Sequence, residues 1–139
     1  MRFLTVHQPY AALLVAGLKT IERRRQPTRY RGPLVIHAGL KRLETPGDFR
    51  LLLARLPRAL VEASGVCVGL VELVECRKAT LADRDAMCAE PGDQAFAWVV
   101  RSPRTLPEFL SLRGEQGLRR LPPEIATRIA AWQHAGLLA

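Results

Sequence analysis

Cysteine and histidine are scarce in this chain of 139 residues, three of each, and the scarcity removes several kinds of protein at once. Cys67, Cys76 and Cys88 are odd in number and lack CxxC spacing, so they supply neither a disulfide framework nor a zinc knuckle. His7, His37 and His134 are far apart and make no paired ligand motif, so no metal site and no cofactor is expected. No apolar run approaches the roughly 20 residues of a membrane span. The opening Met1–His7 turns polar too soon for a signal peptide, and a cytoplasmic protein with no membrane partner is expected. There is no glycine-rich phosphate loop of the Walker or Rossmann kind, and no Ser/His/Asp spacing that can be defended. Lysine is nearly missing too, with only Lys19, Lys41 and Lys78.

What is present is arginine. Lysine and arginine together number 21 against 13 acids, a formal charge of +8. Such an excess favours a polyanionic partner, because phosphate contacts that release counterions supply most non-specific affinity. Arginine in particular suits bidentate phosphate contacts and stacking on bases. A compositional bias without function is the competing explanation, so charge alone does not assign a partner.

The length fits one domain, 1–139, with no repeat, low-complexity tract or dividing linker. Residues 2–6 alternate as a short strand. Pro9 opens a helix that Gly17 closes, proline in the first turn and glycine just past the end. Residues 19–25 read as extended, and Gly32-Pro33 as a turn before the apolar run at 34–36. Asp48 is placed to cap a helix with Phe49, Leu52, Leu53 and Leu56 on its apolar face, ending near Pro57. The longest strand expected is 66–76, followed by a short helix at 80–88 and a strand from Ala95 to Arg101. Pro103, Pro107 and Gly114 punctuate the next stretch, and Pro122–His134 has helical periodicity through Ile125, Ile129 and Trp132. Five or six short strands with intervening helices predict an α+β fold or a partly open barrel.

Two local features carry chemistry. The segment from Glu22 to Arg31 holds five arginines around Tyr30. Basic residues interleaved with an aromatic suit single-stranded nucleic acid, while a solvated surface loop is the plain alternative. Glu72 falls in one strand row with Val66, Val68, Leu70 and Val74, where a carboxylate needs a partner. An ion pair with Lys19, Arg24 or another arginine satisfies it; otherwise it is a site carboxylate. Trp98 reads either as core or as the floor of a pocket, and His37 as a satisfied residue at a strand end.

The run Gly17-Leu18-Lys19-Thr20-Ile21-Glu22-Arg23-Arg24 resembles the GxKxxExR motif of the ASCH domain, a branch of the PUA-like superfamily. His7-Gln8-Pro9-Tyr10 before it, Pro27–Ala38 after it, Gly69–Cys76, Phe96–Val99 and Arg113–Leu118 also resemble the family, in order along nearly the whole chain. The resemblance implies a PUA-like, partly open β-barrel of five or six strands flanked by helices, with a cleft lined by the motif. It implies an RNA-binding protein of RNA metabolism whose ligand is single-stranded or carries a modified base, with DNA as a further possibility. On that reading Lys19, Glu22, Arg24, Arg29, Tyr30, Arg31 and Trp98 form the binding surface. The alternative is a small hydrolase, a ribonuclease or an enzyme similar to the family's N4-acetylcytidine amidohydrolases, with Lys19, Glu22 and Glu72 as its catalytic set. Glu22 stands where those amidohydrolases carry a threonine nucleophile, which counts against amide hydrolysis.

Overall fold

The computed structural model describes residues 1–138. Its first strand, β1 (Arg2–Gln8), sends Leu4 and Val6 to one face and Phe3 to the other, the period of two that an extended chain imposes. Pro9 then turns the chain into α1 (Tyr10–Val15), whose residues from Ala11 to Val15 are all buried. Gln8 anchors this corner: its carboxamide oxygen accepts from the Ala12 amide at 3.1 Å, and its nitrogen donates to the carbonyls of Leu60 and Ala63 at 2.9 and 3.0 Å. A fully buried amide with every group satisfied fixes the helix without the cost of an orphaned polar atom. Gly17, at φ +80°, reverses the chain after α1, a conformation that an L side chain resists.

The remaining strands are β2 (Ile21–Arg24), β3 (Gly32–Arg42), β4 (Val66–Lys78), β5 (Phe96–Ser111) and β6 (Leu118–Arg120). They form one six-stranded sheet in the order β2-β5-β4-β3-β1-β6, antiparallel except for the parallel pair β1 and β3. Both faces are covered. Leu34, Ile36, Val68, Val71, Leu73 and Trp98 pack with α1 on one side; Phe3, Val35, Leu70, Leu106 and Leu110 pack against Ile125 and Ile129 on the other. Those two isoleucines belong to the C-terminal helix, which runs Pro123–His134. The sheet curls enough that its end strands β2 and β6 border a common cavity, which makes it a partly open barrel. Among the described residues no helix is long and apolar enough to cross a membrane, and no cluster of His, Cys, Asp and Glu is arranged to hold a metal ion.

Three expectations need correction. Gly32-Pro33 is not a turn but the start of β3, opposite Leu73 and Glu72. The helix expected from Asp48 is broken into α2 (Gly47–Arg50) and a 3₁₀ stretch, Leu51–Arg55, before α3 (Arg58–Glu62). Phe49 alone of its expected apolar face is buried, so too little core is available to hold about two and a half turns in line. Finally, β5 does not stop at Arg101 but continues through Pro103 and Pro107. The ladder with β4 jumps from Arg101 to Arg104 and from Thr105 to Leu110, so both prolines sit in bulges where no amide is required.

Gly69 on β4 shows how tightly α1 is seated. A Cβ there would lie 2.5 Å from the Arg104 carbonyl oxygen and closer still to the Val15 side chain. Gly69→Ala is therefore expected to destabilise the protein by about 1–3 kcal/mol, through overpacking against backbone that cannot yield. Urea denaturation would show it as a lower midpoint; an unchanged midpoint would mean that α1 rides loosely on the sheet.

Candidate functional site

The turn after α1 and the short strand β2 together build the first half of the site. Amides of Leu18 and Lys19 both donate to the Leu13 carbonyl at 3.0 Å, which directs the Lys19 side chain into the protein. That side chain is only 2% exposed, and its ammonium donates to the Met87 carbonyl at 2.6 Å and lies 3.5 Å from Glu22 Oε1. It also lies 5.0 Å from the centre of the Tyr10 ring, within reach of a cation–π interaction. Glu22 divides its two oxygens: Oε1 faces Lys19, and Oε2 accepts from Arg24 Nη1 at 3.2 Å. Burial pulls the Lys19 ammonium below its ordinary pKa, and the Glu22 carboxylate works against that shift. These groups line a cavity of about 280 Å³ together with Val6, His7, Arg23, Leu43, Ala89 and Glu90.

That cavity adjoins a larger one. His7, Arg23 and Arg24 border both, and the larger space, about 720 Å³, runs between the two ends of the sheet. One wall is β2 and the loop after it, from Arg23 to Thr28; the other is Thr5, His7 and residues Glu115–Arg119 before and within β6. Trp98 forms part of the floor, only 4% exposed, with its indole N–H donating to the Gln26 carbonyl at 3.0 Å. The Arg24 guanidinium sits 5.9 Å from the centre of the Trp98 ring. Four arginines, Arg23, Arg24, Arg25 and Arg119, thus line one cleft against a single carboxylate, Glu115, which is 3.6 Å from Arg119. Arg23 is held in place by donating to the carbonyls of Glu90 and Pro91 at 3.3 and 3.2 Å.

The structure brings together Lys19, Glu22, Arg24 and Trp98 of the residues singled out in the sequence, and it leaves the others elsewhere. Glu72 does not line either cavity; it lies 3.6 Å from Arg104 and is about a third exposed. Its expected apolar row does not exist, because β4 changes face: Val68 and Leu70 belong to opposite sides of the sheet, and Val71 and Leu73 return to the side of Val68. The slip at Val68, where β4 takes one residue more than β3 between the pairs His37–Cys67 and Ile36–Gly69, accomplishes that switch. Tyr30 is also outside the two cavities. Its ring packs against the core and its hydroxyl donates to the Pro33 carbonyl at 2.5 Å. Arg31 is spent on the carbonyls of Thr28 and Tyr30, and Arg29 is exposed beyond the cleft's rim.

His37 is a satisfied core residue, held between Thr5 Oγ1 at 3.2 Å and the Leu112 carbonyl at 2.5 Å, with burial lowering its pKa. Residues that sequence reasoning passed over include His7, Tyr10, Arg25 and Arg119. Only a tertiary contact brings β6 opposite β2, so nothing local marked Arg119; His7 and Tyr10 were visible as neighbours of the motif.

Comparison with known proteins bears on the family and the fold. A family profile described as ASCH domain matches residues 4–108. The chain is 28% identical over 132 residues to activating signal cointegrator 1 of Homo sapiens, and equally to that of Mus musculus, covering 88% of this chain and 22% of each relative. It therefore spans about a fifth of the length of those curated relatives. Among solved structures, the crystal structure of ASCH from Zymomonas mobilis superposes with a TM-score of 0.58 at 15% identity, covering 99% of this chain and 95% of that one. A single-substitution variant of the same Zymomonas mobilis protein reaches 0.61, with 99% and 98% covered.

Proposed function

The chain belongs to the ASCH domain family, and on that premise we propose that it binds single-stranded RNA in the cleft between β2 and β6. The observation that carries this reading is the pairing of an arginine-lined cleft with a smaller adjoining pocket, where Lys19 and Glu22 present a donor and an acceptor side by side. Phosphates meet Arg23, Arg25 and Arg119 in the open cleft. An unstacked base enters the pocket, where the edge it would otherwise pair with finds Lys19 and Glu22. A duplex keeps those edges inside, so a single strand or a flipped nucleotide fits and a regular helix does not.

Anisotropy of a labelled RNA oligomer against a salt series tests the proposal, with DNA of the same sequence in parallel. Three phosphate contacts predict a slope of about −2 in log K against log salt, since each contributes roughly 0.7 for a single strand. Affinity is then expected to fall roughly sixteenfold between about 50 and 200 mM salt. Folded protein that binds neither strand at the low end would overturn the proposal.

Hydrolysis is the weaker reading, and the position of Thr20 argues against it. Thr20 lines a separate small cavity with Gly17, Val100 and Pro103, while Glu22 lines the deep pocket; Lys19 alone borders both. Among the described residues no serine or threonine hydroxyl therefore lines the pocket beside Glu22, as an amidohydrolase with a threonine nucleophile would require. Purified protein is expected to release no measurable cytidine from N4-acetylcytidine, followed by chromatography. Turnover that disappears in Lys19→Met would reverse this judgement.

A further inference from the structure

Resting on the reading of the cleft as a single-strand site, we infer that it continues into a second subsite, at Arg25, Lys78, Gln94 and Phe96, which takes a flanking nucleotide. A third cavity, about 470 Å³, is lined by these four residues with Ala79 and Ala95. It shares Arg25 with the main cleft, just as the main cleft shares His7, Arg23 and Arg24 with the deep pocket. The three spaces thus adjoin one another around the β2 end of the sheet, with a cation in each shared wall.

Strand register explains the arrangement. Arg24 on β2 and Lys78 on β4 are both partners of Phe96 on β5, so the three residues stand in a row across neighbouring strands. Two strand spacings, about 10 Å, separate the backbones of Arg24 and Lys78, and of the two side chains Lys78 lines the third cavity. Phe96 is partly exposed and offers a π-face on which a base of any identity can stack. Gln94 is exposed beside it and adds an amide donor and acceptor.

The charges here are uncommitted. Arg84, by contrast, is tied to Asp48 at 2.7 Å and to Glu90, and stacks on Phe49. Among the described residues, the side chains of Arg25 and Lys78 engage no carboxylate and no carbonyl, although both are exposed at the mouth of a cavity. Free cations on a concave surface raise the local concentration of an anion and lose nothing by accepting it. A strand leaving the deep pocket passes Arg25 and meets Lys78 next, so the occupant is the phosphate and base adjoining the nucleotide already held.

Binding of labelled single-stranded RNAs of two to six nucleotides tests this in the intact chain. At about 0.1 M salt, a slope of roughly 0.7 per phosphate corresponds to about fivefold in affinity per contact. Oligomers long enough to reach Lys78 are expected to bind at least about fivefold tighter than a dinucleotide, with a steeper salt slope. Lys78→Glu is expected to erase that gain and leave the dinucleotide unaffected. Arg55→Glu changes the net charge equally, at an exposed residue that lines none of the three cavities, and is expected to leave the gain in place. Equal affinity for short and long oligomers, or an equal loss in both charge reversals, would overturn the subsite while leaving the cleft. Failure to bind at any length would overturn the reading of the cleft and the subsite with it.

Discussion

Lys19→Met is expected to destabilise the protein by about 3 kcal/mol, because it deletes one member of a buried charge pair and leaves the other. The ammonium is buried, satisfies the Met87 carbonyl and faces Glu22, so methionine removes a donor and a charge together while filling similar space. Arg24 still reaches Glu22 Oε2, which holds the loss near the lower end of the range for broken buried pairs. Urea denaturation should show a lower midpoint with the slope unchanged, the sign of altered stability rather than altered compactness. Adding Glu22→Gln should recover more than half of the loss, since the stranded carboxylate is its main source. Equal stability of Lys19→Met and the parent would mean that the pair is solvated and the deep pocket wider than its geometry indicates.

Trp98→Ala should cost about 3–5 kcal/mol, the range for deleting a buried aromatic. The ring is part of the main core and is also the floor of the cleft, so the loss spreads in two directions. Its indole N–H holds the Gln26 carbonyl, in the loop after β2 that walls the cleft. Trp98→Phe separates the two contributions. It keeps most of the buried surface and forfeits the hydrogen bond, a loss of about 1 kcal/mol. RNA affinity in Trp98→Phe should fall although the protein remains folded, because the Arg25–Thr28 wall loses its tether. Stability of Trp98→Ala within about 1 kcal/mol of the parent would contradict the placement of the ring in the core.

The motif and its flanks were legible because their constraints are local. Pro9 and Gly17 bracket a six-residue helix, and a left-handed glycine at the turn sends the next lysine inward. Spacing of Lys19, Glu22 and Arg24 then suffices to join their charges, since β2 carries Glu22 and Arg24 on one row and the turn delivers Lys19 beside them. The arginine-rich segment was legible as a basic element but not as a divided one. Arg23, Arg24 and Arg25 line the cleft, whereas Arg29 and Arg31 follow the chain as it leaves toward β3.

Glu72 shows the limit from the other direction. A period of two assigns faces only while the ladder is unbroken, and β4 is broken beside Gly69, where Val68 is one residue more than β3 pairs with. Each slip by one residue turns the following side chains to the opposite face. The carboxylate that looked misplaced in an apolar row is thereby about a third exposed beside Arg104.

By itself the sequence determined the excess of positive charge, the α+β pattern, the helix closed by Gly17 and the Lys19–Glu22–Arg24 cluster, all properties of residues within a few positions of one another. Tertiary structure alone decided that β2 and β6 face each other across a cleft, that Arg119 joins Arg23 and Arg25 there, and that Glu72 stands apart. The physical reason is that sheet closure and bulges depend on pairing between strands far apart in the chain, and no local spacing encodes where a curled sheet brings its two ends together.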